Sequence, residues 1–184
     1  IPRDVWQVTD KGSVSGINGD VDLDFAFKQY GTSKPVQQDE WEKTSEGYRY
    51  KLSSGEYVKD QFKTIDSKVY YFNSSGYRVT GLQTIDGKSY YFNNSGVRQT
   101  GWKTIGGARY YFGKDGAMLK ASWLKYKKNW YYLGKNGKMQ TGWITVNKVR
   151  YYLDSSGIMQ TQWKQLNGIW YYFKDSGAMA SYEW

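Results

Sequence analysis

The 184-residue chain contains no cysteine and no histidine. Disulfide bridges and thiolate metal sites are therefore excluded, as are imidazole catalysis and His-ligated metals. No metal and no cofactor are expected. Proline occurs only twice. No apolar run approaches the roughly 20 residues that a membrane-spanning helix needs, so no membrane partner is expected. Leucine, isoleucine and valine are sparse, which leaves too little aliphatic volume for a core between two thick layers. A signal peptide is also missing: the chain opens "IPRDVWQVTD" and reads as beginning inside a longer protein.

The chain is instead rich in aromatic residues, with nineteen tyrosines and nine tryptophans. These residues must do the packing, and each carries a polar tip that wants water or a partner. The composition predicts a thin structure whose packing residues lie near solvent. Charge is uneven. Residues 1–38 carry four basic and five acidic groups, residues 39–102 nine and eight, and residues 103–184 thirteen and four. The net charge of +9 thus belongs to the C-terminal half. Such a surface suits an anionic polymer, either nucleic acid or a phosphate-rich cell-wall polymer.

An internal repeat dominates the pattern. One glycine recurs at Gly55, Gly76, Gly96, Gly116, Gly137, Gly157 and Gly177, in steps of 20 or 21. "YYF" or "YYL" precedes most of these glycines. A second series runs Trp41, Phe62, Leu82, Trp102, Trp123, Trp143 and Trp163, and methionines 118, 139, 159 and 179 each follow a repeat glycine by two places. Each unit reads as a hairpin. In "GWKTIGGARYYFGKDG", Trp102–Ile105 is one strand, Gly106-Gly107 a two-residue turn and Ala108–Phe112 the return. A lone two-stranded hairpin is marginal in water, but stacked hairpins bury one another's aromatic faces. The expected fold is all-β: a solenoid or superhelix of about seven hairpins spanning 39–184. Most of the Tyr-Tyr-Phe triplets then form its core.

The position before each triplet varies: Val69, Ser89, Arg109, Trp130, Arg150 and Trp170. A core position would not accept all of these, whereas a partly open site would. Where it is tryptophan, a unit holds an indole on each strand: Trp123 with Trp130, and Trp163 with Trp170. The following unit adds Trp143 in the first case and Tyr182 or Trp184 in the second. Three converging aromatic faces form a cage suited to a quaternary ammonium, at about 0.5–2 kcal/mol per face. The same faces suit stacking on sugar rings.

The units "SWLKYKKNWYYLGKNGKMQTGW" and "QWKQLNGIWYYFKDSGAMASYEW" closely resemble the choline-binding repeats of pneumococcal and phage cell-wall proteins. The resemblance spans about 39–184. It implies a left-handed superhelix of hairpins with choline of teichoic acids held between successive units. It also implies Trp123, Trp130, Trp143, Trp163 and Trp170 as cage members, with Met139 and Met159 as walls. Units such as "TIDGKSYYFNNSG" look more like the related repeats of clostridial toxins and glucan-binding glucosyltransferases, which recognise carbohydrate. Phe62 and Leu82 replace the first tryptophan there. Arg109 and Arg150 take the second tryptophan's place in two later units, which spoils or alters those cages. A phosphate contact or a solvated position suits these arginines equally. Two full cages are expected, not six.

Before the repeats, "VDLDFAF" alternates apolar and polar residues and reads as a strand. The stretch from Trp6 to Phe25 resembles the C-terminal end of family 25 glycoside hydrolases, the bacterial and phage lysozymes. That resemblance implies a short strand from the end of a catalytic barrel over 1–30, with Asp22 in the place of an acidic active-site residue. Glycoside hydrolysis needs a pair of carboxylates about the scissile bond, and the family's other acids lie upstream of this sequence. Alone, the chain is expected not to hydrolyse a glycan. Residues 31–38, "GTSKPVQQ", read as a linker and 39–184 as the wall-binding domain. The expected function is anchoring a peptidoglycan-degrading muramidase to choline or polysaccharide of a Gram-positive wall, outside the cell or after phage lysis. Carbohydrate binding is the alternative. Single-stranded nucleic-acid binding ranks third, because a fixed 20-residue period suits discrete pockets better than a groove. The repeats are compatible with an oligomer.

Overall fold

The computed structural model describes residues 38–180. Every described element is a strand, and the fourteen strands form seven antiparallel hairpins in chain order. Hairpin 1 pairs β1 (Glu40–Lys43) with β2 (Tyr48–Lys51), and hairpin 2 pairs β3 (Gln61–Ile65) with β4 (Lys68–Phe72). Hairpin 3 is β5 (Gly81–Ile85) with β6 (Lys88–Phe92), and hairpin 4 is β7 (Gly101–Ile105) with β8 (Ala108–Phe112). Hairpin 5 joins β9 (Ser122–Tyr126) to β10 (Asn129–Leu133), and hairpin 6 joins β11 (Gly142–Val146) to β12 (Val149–Leu153). Hairpin 7 joins β13 (Gln162–Leu166) to β14 (Ile169–Phe173). The all-β array of seven hairpins read from the repeat is therefore the fold. The strand proposed around Asp22 lies outside the described residues.

The turns explain why so short a unit folds. At 66–67, 86–87, 106–107, 147–148 and 167–168 both central residues have positive φ, the geometry whose twist matches the flanking strands. Glycine supplies it at Gly106-Gly107, but Asp66-Ser67 and Asn147-Lys148 adopt it without glycine.

Each unit then closes a small core. The third residue of the triplet is fully sealed: Phe72, Phe92, Phe112, Leu133, Leu153 and Phe173 are all 0% exposed. The segment after each repeat glycine folds back to form a short bridge with this residue, as between Phe112 and Met118. Successive units are tied through the backbone. The N–H two places after the glycine donates to the carbonyl before the triplet of the preceding unit. Met118 donates in this way to Ser89 (2.8 Å), Met139 to Arg109 (2.8 Å), Met159 to Trp130 (2.9 Å) and Met179 to Arg150 (2.8 Å). The variable position is thus held through its backbone carbonyl whatever its side chain, which ranges from Ser89, buried and accepting a hydrogen bond from Lys120 Nζ at 2.9 Å, to the exposed Trp170.

Candidate aromatic cages between hairpins

The pleat decides which rings meet. In hairpin 5, Trp123 lies directly opposite Tyr132 and Trp130 opposite Lys125, all on one face of the ribbon. Tyr131, opposite Leu124, points from the other face. The same parity holds in hairpin 6, where Trp143 faces Tyr152 while Tyr151 pairs with Ile144 on the reverse side. The reverse side of each hairpin packs against the tryptophan side of the one before. Trp123 therefore meets Tyr132 at 5.1 Å within its own hairpin and Tyr151 of the next at 4.8 Å, both edge-to-face. Such contacts are the favoured arrangement of aromatic quadrupoles.

Between hairpins 5 and 6 this packing leaves a hollow of about 360 Å³, lined by Trp123, Trp130, Tyr151, Met159, Asp175 and Ser176. Trp130 is 39% exposed, so its face is open to a guest. Met159 is pinned from behind by the turn that follows hairpin 7. A Cβ built on Gly177 would overlap the end of the Met159 side chain, so the glycine lets the turn press directly against this wall. Asp175 stands at the rim, where Gln162 Nε2 donates to its Oδ1 at 2.6 Å. Lys125 Nζ lies 5.7 Å from the Trp130 ring centroid. The chamber thus offers two indole faces, a phenol ring and a polarisable thioether, with one carboxylate at its mouth. It suits a bulky cation that makes no hydrogen bonds.

The structure brings Trp123, Trp130 and Met159 together, and the ring that joins them is Tyr151, where Trp143 was expected. Trp143 sits on the forward face of hairpin 6 and packs against Tyr171 of hairpin 7 at 4.9 Å. Met139 likewise belongs one step earlier, bonded through its backbone to Arg109. Tyr151, Asp175 and Ser176 escaped sequence reasoning. The first tyrosine of each triplet was a visible signal for Tyr151, but the repeat alone gave no reason to link the turn of one unit to a cage two units back. Trp163 and Trp170 stand 57% and 54% exposed beside Ile169, flanking a second hollow of about 310 Å³ that also touches Tyr171, Tyr172 and Met179. Tyr182, Trp184 and Asp22 lie outside the described residues.

Residues 79–102, 99–141 and 140–184 match the family described as choline-binding repeat, and residues 60–78 match a putative cell wall binding repeat. Among solved structures, choline binding protein F from Streptococcus pneumoniae is 37% identical, covering 76% of this chain and 51% of its own, with a TM-score of 0.70. CbpJ from the same organism is 34% identical with the same coverage and a TM-score of 0.71. A structure of CbpF in complex with ipratropium is 34% identical, covering 73% of this chain and 42% of that one, with a TM-score of 0.67. The chain thus spans about half the length of the solved relatives it matches. No curated protein sequence matches it.

Proposed function

The chain belongs to the choline-binding repeat family, and from that premise we propose that residues 39–184 hold the trimethylammonium group of choline on a cell-wall polymer. The observation that carries this reading is the open chamber of Trp123, Trp130, Tyr151 and Met159 between hairpins 5 and 6. A quaternary ammonium has no N–H donor, so entering the chamber sacrifices no hydrogen bond to water. It gains attraction to each ring face, about 0.5–2 kcal/mol apiece according to desolvation. Asp175 at the mouth favours a cation over a neutral guest of the same shape. Ipratropium, present in one CbpF structure, is itself a quaternary ammonium, which supports the same chemistry here. The partner is then the choline of teichoic acid or a related wall polymer, and the place of action the cell wall.

In this reading the repeats anchor a peptidoglycan-degrading muramidase, of which residues 1–30 are the C-terminal end and Asp22 one acidic residue. A second reading, carbohydrate binding, is favoured by one observation: Trp163, Ile169 and Trp170 form an exposed apolar surface on which a pyranose ring could stack. Titration with choline, followed by tryptophan fluorescence, separates the two. Saturable binding at millimolar choline, and elution by choline from an amine-substituted resin, are expected. Competition by a glucan with no response to choline would overturn the choline reading.

A further inference from the structure

The hairpin repeat generates equivalent seats along the array, and they can be compared ring by ring. Each seat uses the first-strand aromatic and the variable residue of one hairpin, then the first triplet tyrosine of the next. The aromatic frame is nearly invariant in the C-terminal half. Trp102 meets Tyr131 at 5.1 Å, Trp123 meets Tyr151 at 4.8 Å and Trp143 meets Tyr171 at 4.9 Å. What changes is the variable residue, which alternates Arg109, Trp130, Arg150, Trp170.

In the two arginine seats the guanidinium folds back over the indole. The Arg109 Cζ stands 4.6 Å from the Trp102 ring centroid, and that of Arg150 stands 4.3 Å from Trp143. A cation within about 6 Å of a ring centroid is in the attractive field of the π-face. That is the position a bound ammonium would take in the seat between hairpins 5 and 6. The N-terminal half reaches the same result from another sequence position. Arg78 and Arg98 replace the methionine that follows the repeat glycine. Arg78 lies 4.4 Å from the Tyr48 ring and 5.8 Å from Trp41, and Arg98 lies 5.8 Å from Phe62. Four seats thus have a guanidinium of the chain's own nearby; Arg109 and Arg150, at 4.6 and 4.3 Å, press on their indoles more closely than the Lys125 ammonium, 5.7 Å from Trp130, approaches the ring of the open seat.

We propose that Arg109 and Arg150 are internal occupants of their cages, filling from within the seats that a free quaternary ammonium takes elsewhere in the array. This rests on the choline reading for the identity of the free ligand. A tethered guanidinium competes at a high effective concentration, so a weakly held free cation does not displace it. The side chain at 109, 130, 150 and 170 then sets how many ligands one chain carries: tryptophan builds a seat, and arginine keeps it closed.

The test counts seats. Choline bound per folded chain is measured by equilibrium dialysis on the full chain and on Arg109→Trp, Arg150→Trp and the double variant. One additional choline is expected for each arginine replaced, and two for the double variant. An unchanged count in variants with native near-ultraviolet circular dichroism would overturn the proposal. A second measurement needs no ligand. The δ-methylene protons of Arg109 and Arg150 should be shifted upfield by the indole ring currents, and should return to free-arginine positions in Trp102→Leu and Trp143→Leu respectively. Unshifted protons in the wild-type chain would overturn internal occupancy even if choline binds. Shifted protons with no choline binding in any variant would uphold it and sink the choline reading instead.

Discussion

The Tyr71 phenol donates to Asp60 Oδ1 at 2.5 Å. That hydrogen bond, helped by burial and by the carboxylate charge, pushes the Tyr71 pKa up to about 12 from its ordinary 10.0. The sign follows from linkage. Below pH 10 the phenol is protonated in both folded and unfolded chains, and the bond contributes fully. Between pH 10 and 12 the unfolded chain loses the proton first, so stability falls as pH rises through that window. The melting temperature should therefore drop between pH 10 and 12, and Tyr71→Phe should flatten that part of the drop while lowering stability at pH 7. A Tyr71→Phe profile parallel to wild type would show that other phenols are responsible. The same residue-level reasoning applies to Trp130. Its exposed indole supplies one face of the chamber, and Trp130→Ala should weaken choline binding about tenfold, since one desolvated face is worth up to roughly 2 kcal/mol. The unfolding transition should fall by less than it would for a sealed ring such as Phe112, because Trp130 is 39% exposed and Phe112 0%. Isothermal titration alongside thermal melts checks both halves of that expectation.

At the scale of the element, the turn carries more than connection. Gly168 and Gly177 have nearly the same backbone, φ +82° and +80°. A Cβ at Gly168 would meet nothing within 4 Å, whereas one at Gly177 would strike the Met159 side chain. Alanine at either site forces the left-handed region, costing about 1–2 kcal/mol. The flexible methionine tail can yield, so both variants should lose similar stability. Only Gly177→Ala should also weaken choline binding, because yielding moves a chamber wall. Equal affinities in the two variants would remove Met159 from the site. This pair also shows what the sequence discloses and what it conceals. Steps of 20 or 21 between glycines, and pairs such as Gly106-Gly107, made all seven hairpins legible. Alternation established that neighbouring triplet residues face opposite ways, but parity does not say which face meets the next unit. For that reason Trp143 was expected where Tyr151 stands. Asn147-Lys148 adopts the glycine-type turn because its place between paired strands overrides a local preference, and no composition rule announces it. The approach of Gly177 to Met159, eighteen residues away, arises only when units stack.

For the whole molecule the question is how weak seats hold a wall. Residues 103–184 carry thirteen basic and four acidic residues, and the chamber between hairpins 5 and 6 lies among them. The ligand proposed for that chamber is itself a cation, so this field cannot favour free choline and must slightly oppose it. In the proposed reading the field instead attracts a phosphate-bearing polymer that carries the choline. The two contributions should separate with salt. Added salt screens exposed charges beyond the Debye length, about 10 Å at 0.1 M and about 3 Å at 1 M, but leaves ring-to-ammonium contacts inside the chamber nearly untouched. The affinity for free choline should therefore hold steady or rise slightly between about 0.05 and about 0.5 M salt, over which the Debye length shrinks roughly threefold. Attachment to choline-bearing walls should fall steeply over the same range, measured by sedimentation of bound protein. Several seats on one repetitive polymer also multiply their effect, because once one is filled the others bind at high local concentration. At the high-salt end of that range, where the backbone attraction is screened, the chain should still hold choline-bearing walls about 10²–10⁴-fold more tightly than free choline. Equal affinities would mean that a single seat does all the holding, and parallel salt curves would place the basic surface outside the docking process.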